Sequence, residues 1–455
     1  MTKNILLVLL AVSAAGQDFL QRPYLQLGNQ RGGLSVMWHA QDADADWQVE
    51  YKSGAGGWNK ARIAPPRRID VRGFQPHRVY EAALTQLARG ERFDYRVKLG
   101  DREVFTSTGM APRGPGEPHT FAVIGDTGNN SQGQRRLAVQ LGQARPEYLV
   151  HVGDIVYMSG LISQYYKNHF PVYNCEPGTT AACTSLLRST VSVAIPGNHD
   201  IHGTVRFGWQ PGSLAYFYYW SQPLNGPLTD RGSLNLPRMS GSEKVIDAFY
   251  DRAKNYPQMA MYSFDWGDAH WLMLDSNAYV DWSDPRLVDW VKRDLASARG
   301  ARWRFVALHH APFSTGRTHA SDQWMRQLSP VFEAGAVDVV FSGHVHNYQR
   351  TRPLKFKPSL EGRVKKISGE FAIDKEFDGA SKTKPNGVVY VLTGAGGMSL
   401  KEGGKDNNPS KWEPYTAKFH GSTHSFTLVD MTPERITIRQ LDEGGRTIDR
   451  AVISR

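Results

Sequence analysis

The stretch Phe121-Ala122-Val123-Ile124-Gly125-Asp126-Thr127-Gly128 and its echo Tyr148-Leu149-Val150-His151-Val152-Gly153-Asp154-Ile155-Val156-Tyr157 decide the fold. Each starts as a short, mainly apolar run and leaves through a glycine and an aspartate. Between them Leu137, Leu141 and Ala144 fall on one face of a helical period. A strand that is apolar on both faces is buried on both. The unit therefore reads as strand–helix–strand in a mainly parallel sheet.

Runs of the same kind follow toward the C-terminus: Val191-Ser192-Val193-Ala194-Ile195, Trp271-Leu272-Met273-Leu274, Phe305-Val306-Ala307-Leu308 and Val337-Asp338-Val339-Val340-Phe341. Helices are predicted over 285–298 and 323–334. The aromatic, Gly-rich segment 200–260 reads as long loops over a mouth. Toward the N-terminus the grammar is different. Leu34-Ser35-Val36-Met37-Trp38, Trp47-Gln48-Val49-Glu50-Tyr51 and Phe93-Asp94-Tyr95-Arg96-Val97 alternate, which suggests a small all-β sandwich over 20–110. The Pro/Gly-rich stretch 111–118 separates it from an α/β part over 118–455.

The 455 residues are 40% hydrophobic and 22% charged, which excludes disordered, collagen-like and coiled-coil chains. A net charge of +10 suits anionic ligands and says nothing about fold. At the N-terminus Lys3 precedes the apolar run Ile5–Ala11, and Ser13-Ala14-Ala15-Gly16 offers small residues for cleavage. Residues 1–16 read as a secretory signal peptide, the alternative being a buried N-terminal helix. The apolar window is shorter than the ~20 residues a membrane span needs, so no transmembrane anchor is expected. In an oxidising compartment Cys175 and Cys183, which bracket a polar segment, are expected to form a local disulfide. Two unrelated reduced thiols are the alternative.

The chemistry collects at strand ends: Asp126, then Asp154 with Tyr157, Asn198 with His199, His309 with His310, and His344 with His346. Any one of these is an ordinary turn or capped strand. All of them in this order, each after an apolar strand, aim oxygen and imidazole ligands at the mouth outside the carboxyl ends of an α/β sheet.

The motifs Gly125-Asp126-Thr127-Gly128, Gly153 to Tyr157, Gly197-Asn198-His199-Asp200, Leu308-His309-His310-Ala311-Pro312 and Gly343-His344-Val345-His346 resemble those of the purple acid phosphatases, within the calcineurin-like metallophosphoesterases. The resemblance implies a four-layer αββα metallophosphoesterase sandwich preceded by a fibronectin-III-like domain. It also implies a binuclear centre of Fe(III) and a divalent ion (Fe, Zn or Mn). One metal would take Asp126, Asp154, Tyr157 and His346; the other would take Asp154, Asn198, His310 and His344. His310 is preferred over His309 because the family's ligand histidine usually stands two residues before a proline. Gly128 occupies a position where many metallophosphoesterases carry histidine, and Tyr157 replaces that ligand.

The implied reaction is in-line attack of a metal-bound hydroxide on a phosphate monoester, with the ions lowering the pKa of the attacking water. His199, His319 and His202 are the candidates for protonating the leaving group or binding phosphate. The expected partners are small phosphate esters. A phosphodiesterase of the same superfamily is the runner-up, and a binding protein with a vestigial metal site is the alternative of another class. The basic runs Lys365-Lys366 and Lys382-Thr383-Lys384 lack a helix or aromatic platform, so no specific nucleic-acid binding is expected.

Overall fold

A computed structural model describes residues 18–29, 32–176, 178–227, 229–359 and 367–455. The signal peptide expected over 1–16 and the Lys365-Lys366 pair lie outside the described residues.

Alternation in the N-terminal part produces two facing sheets. In Arg92–Leu99 the inward residues Phe93, Tyr95 and Val97 are buried, and their neighbours are not. This strand joins Trp47–Ser53, Asn59–Lys60 and Arg102–Met110 in a four-stranded antiparallel sheet. Opposite lie Gln21–Gln26, Leu34–Gln41 and His77–Leu84. In the core Trp38 stacks on Tyr80 at 5.1 Å, an arrangement that adds ~0.5–1.5 kcal/mol beyond burial alone.

This second face of the β-sandwich does not end at its own edge. Gln21–Gln26 pairs in parallel with Val191–Ile195, with Gln26 opposite Ser192. The combined 11-stranded sheet continues through Tyr148–Val152, His119–Ile124, Ser425–Met431, Arg435–Asp442 and Thr447–Ser454. A seven-stranded sheet packs on its inner face, with Ala269–Met273, Trp303–His310, Val339–Gly343 and Val389–Thr393 parallel to one another. Aromatic side chains seal the seam. Phe121 meets Trp271 edge-on at 5.2 Å, and the Trp271 indole donates to the Tyr148 hydroxyl at 3.0 Å.

The helix Gln132–Ala144 buries Leu137, Ala138 and Leu141 against the outer face of the first sheet. The helix Pro285–Ser297 buries Leu287, Val291 and Leu295 against the second. These four layers give the αββα sandwich that the motif order implies. Cys175 and Cys183 are joined in a disulfide, with Cα atoms 6.1 Å apart. Among the described residues no helix is long and apolar enough to cross a membrane.

Two expectations change. The segment 200–260 is not a run of loops. Tyr216–Tyr219 is a fully buried helical turn, Glu243–Arg252 is a helix, and Thr204–Arg206 pairs with Arg238–Ser240. Most of its aromatic residues, Tyr216 to Trp220 and Phe249 among them, are core, because side chains of that size gain most by leaving water. The helix predicted over 323–334 divides into a 3-10 turn, Trp324–Leu328, and a short helix, Ser329–Ala334. Pro330 has no N–H to continue the hydrogen-bond ladder, so a new helix starts there.

A cluster centred on a buried histidine lies in this scaffold. The His270 ring, buried on the strand Ala269–Met273, bonds Asp265 through Nδ1 and Asp294 through Nε2, both at 2.8 Å. Burial pushes the imidazole down, but the hydrogen bonds to Asp265 and Asp294 raise it to about 9. Because the folded-state value exceeds the ordinary 6.5, the stabilisation is full below about pH 6.5 and is lost as the pH rises through 9. At ~1.4 kcal/mol per pKa unit it amounts to roughly 3 kcal/mol. His270→Gln should therefore lower the thermal midpoint most at pH 6 and least at pH 9.5. A deficit that is the same at both values would remove the charge from this account.

Candidate metal centre

The parallel strands His119–Ile124, Tyr148–Val152 and Val191–Ile195 of one sheet, with Trp303–His310 and Val339–Gly343 of the other, end at a common mouth. Asp126 and Asp154, both buried, stand just past the first two. To bring their side chains inward the chain turns sharply. Asp126 (φ 58), Asp154 (φ 52) and His344 (φ 73) all adopt left-handed backbone. For residues other than glycine that costs roughly 1–3 kcal/mol each.

Tyr157 reaches into the same space. Its hydroxyl lies 2.8 Å from Asp154 Oδ2, 3.0 Å from Asp126 Oδ1 and 3.3 Å from His346 Nε2. Its backbone N–H donates to the Gly128 carbonyl at 2.8 Å. A Cβ at Gly128 would meet the Ile155 carbonyl oxygen at 1.9 Å, so this backbone leaves no room for a histidine there. The phenol and the glycine are two sides of one packing solution.

Three imidazoles are held from behind, each by an acceptor. His309 Nδ1 donates to the Val152 carbonyl at 2.9 Å, and its Nε2 lies 3.1 Å from Asn198 Oδ1 and 3.3 Å from Asp154 Oδ2. His344 Nε2 bonds the Asp322 carboxylate at 3.3 Å, which leaves Nδ1 3.0 Å from the same Asn198 oxygen. His346 Nδ1 donates to the Ser399 carbonyl at 3.0 Å, which leaves Nε2 toward Tyr157. Fixing one ring nitrogen on an acceptor while the other faces inward is the arrangement that orients metal-binding histidines.

His309 lies beside His344 with ring centroids 5.1 Å apart, and nearer to it, at 4.3 Å, lies His310. The His310 ring packs on Trp324 at 4.6 Å, and its Nδ1 lies 3.1 Å from Ser276 Oγ. His309 instead joins Asp126 and Asp154 in one cluster of potential ligand atoms. Adjacent strand residues face opposite ways. The neighbouring sheet contributes the Val152 carbonyl that receives His309, whereas the spacing to Pro312 favours His310.

Of the other candidates, His199 packs on Tyr157 with ring centroids 4.4 Å apart, and its Nδ1 bonds the Met158 carbonyl at 2.8 Å. His319 lies against His344 with ring centroids 3.9 Å apart, and its Nδ1 bonds Asp322 at 3.0 Å. His202 lies beside His199, with centroids 6.1 Å apart, rather than at the cluster. Sequence reasoning missed Asp322, which sits three residues after His319 in a loop and bridges it to His344. It also missed Ser276, whose hydroxyl accepts from the His309 and His310 amides at 2.9 and 2.8 Å. Asp200 ends the motif Gly197-Asn198-His199-Asp200. Buried, it accepts from the Gly197, Ile155 and Val156 amides at 2.9, 3.1 and 3.3 Å and so laces two ligand loops together.

Electrostatics agree with a cation site. Burial pushes Asp126 up to about 8; His309 pulls it down and Asp154 pushes it further up. Burial pushes His309 down, but Asp154 and Asp126 raise it to about 9. Burial and the two carboxylates hold Tyr157 well above the usual phenol range. The donor set of carboxylates, phenol, amide oxygen and imidazoles matches what hard and borderline metal ions take.

Residues 119–348 match the calcineurin-like phosphoesterase family. A purple acid phosphatase of Glycine max is 22% identical over 426 residues, 92% of this chain and 80% of that protein. Purple acid phosphatase 18 of Arabidopsis thaliana is 29% identical over 161 residues, 34% of this chain and 31% of that protein. The structure of a purple acid phosphatase isolated from yellow lupin (Lupinus luteus) seeds shares the fold, with a TM-score of 0.64 at 17% identity over 95% of this chain and 74% of that one. Such relatives imply a binuclear metal centre.

The choice between 309 and 310 can be read directly. His309→Ala should lose one metal ion of the pair by elemental analysis, whereas His310→Ala should keep both. The reverse pattern would restore His310 as the ligand.

Proposed function

The chain belongs to the calcineurin-like phosphoesterase family, and from that premise we propose that it is a secreted purple acid phosphatase acting on phosphate monoesters. One observation carries the reading. The Asn198 amide oxygen, His309 Nε2 and His344 Nδ1 converge within about 3 Å of one another's contact atoms, while Tyr157 closes on two carboxylates. Oxygen and imidazole groups gathered this closely from separate strand ends form the donor set that a metal ion draws together.

The residues fit two ions that share Asp154. Asp126, Asp154, Tyr157 and His346 would hold one, and Asp154, Asn198, His309 and His344 the other. When bound, such ions polarise phosphoryl oxygens and acidify water. A phenolate ligand such as Tyr157 favours a ferric ion at the first position.

The protein's own residues do the rest. A carbonyl only accepts, so the bond from His199 Nδ1 to the Met158 oxygen puts a proton on Nδ1 and leaves Nε2 for the ester. Once it is protonated, Nε2–H can donate to the departing alkoxide. Asp322 fixes His319 in the same way, with its Nδ1 held and its other nitrogen left for a phosphate oxygen. The buried Asp126 and Asp154 are sheltered from water, which strengthens every charge interaction at the mouth. The disulfide and the leader-like sequence at 1–16 support export to an oxidising compartment.

The test combines colour and turnover. Iron-loaded protein should be violet or pink and should hydrolyse 4-nitrophenyl phosphate on the acid side of neutral. Tyr157→Phe should bleach the visible band and retain part of the activity. A colourless, iron-free preparation that is fully active with two divalent ions would make the protein a plain metallophosphoesterase.

A further inference from the structure

Beside the metal mouth lies an open groove of about 550 Å³ lined by Arg317, Thr318, Glu402, Lys405 and Lys411. Its walls are tied to the candidate centre. Arg317 stands two residues before His319, a reach of at most ~7 Å, and the His319 ring lies 3.9 Å from that of His344. On the other wall the Lys401 amide, next to Glu402, donates to the His346 carbonyl at 2.9 Å.

The lining holds three cations and one carboxylate, and that carboxylate is already committed. Glu402 accepts from the Arg317 and Thr318 amides, both at 2.8 Å, and pairs with Lys405 at 2.5 Å. Arg317 and Lys411 are exposed, and neither side chain has an ion-pair partner among the described residues. The wall that carries Lys411 is fixed in place, because the Trp412 indole donates to the Lys405 carbonyl at 2.8 Å. Unpaired cations on braced backbone are positioned for an anion rather than spread as solvated charge. A guanidinium beside ammonium groups matches phosphate, whose oxygens accept a forked pair of N–H bonds as well as point-charge contacts.

We propose that this groove receives a second phosphate of the substrate, so that the chain prefers compounds carrying more than one phosphate. This inference rests on the phosphatase reading for turnover, with the groove adding the substrate class. A substrate bearing one phosphate would occupy the metal mouth alone. A polyphosphorylated one would also span to Arg317 and Lys411.

The experiment compares metal-loaded wild type with Arg317→Ala/Lys411→Ala on 4-nitrophenyl phosphate and on inorganic triphosphate. The double substitution should lower kcat/KM for triphosphate about tenfold more than for the aryl ester, chiefly through KM. Equal losses on both, or none on either, would overturn the proposal. If wild type turns over neither compound, the phosphatase reading fails on its own. Calorimetric titration of inorganic triphosphate then tests the groove: about tenfold weaker binding by the variant supports it, and equal affinities reject it.

Discussion

Two carboxylates buried within reach of one phenol hydroxyl crowd negative charge into the interior of the protein. Asp126 and Asp154 stand at the ends of neighbouring parallel strands, where backbone amides and His309 offset only part of their charge. In an interior of low dielectric this is an expensive arrangement without positive charge between the oxygens. The rest of the site serves it: imidazoles fixed from behind, an amide oxygen turned inward, and a loop closed over the phenol.

The same requirement shapes the backbone. Left-handed turns at Asp126, Asp154 and His344 place strained residues at three strand exits, and they persist because the surroundings overdetermine them. Asp200 laces the loop before Tyr157 to the loop bearing Asn198. Gly197 lies so near Asp154 that a Cβ would come within 2.2 Å of its Oδ1. Ser276 pins the strand end that delivers His309. Such supports hold the candidate ligands in place.

Much of this was legible in the sequence because strand-end chemistry is local. Gly125-Asp126, Gly153-Asp154 and Gly343-His344 each pair a permissive residue with a ligand type after an apolar run. The spacing to Pro312 favours His310, but the surroundings of the pair depend on distant partners: the Val152 carbonyl that receives His309 is more than a hundred residues away. Asp322 escaped for a similar reason: a loop carboxylate has no pattern until the fold sets it beside two imidazoles. The aromatic segment around Tyr216 looked like loop because it lacks a period, yet it is core by contact with distant residues such as Tyr24, whose hydroxyl donates to the Tyr219 carbonyl at 2.9 Å. Periodicity reports what a helix or strand does along itself and is silent on such long-range partners.

The parallel pairing of Gln21–Gln26 with Val191–Ile195 bears on how the chain assembles. An unpaired strand edge is a template for pairing with other chains. During synthesis the N-terminal strands emerge first, with that edge open, and its partner follows more than 160 residues later. Until then each edge is a hazard to the nascent chain; afterwards each covers the other. The small sandwich thus acts as a cap on the edge of the larger sheet, and a truncated chain beginning after residue 110 would keep its candidate metal ligands but expose the side of the Val191–Ile195 strand to self-association.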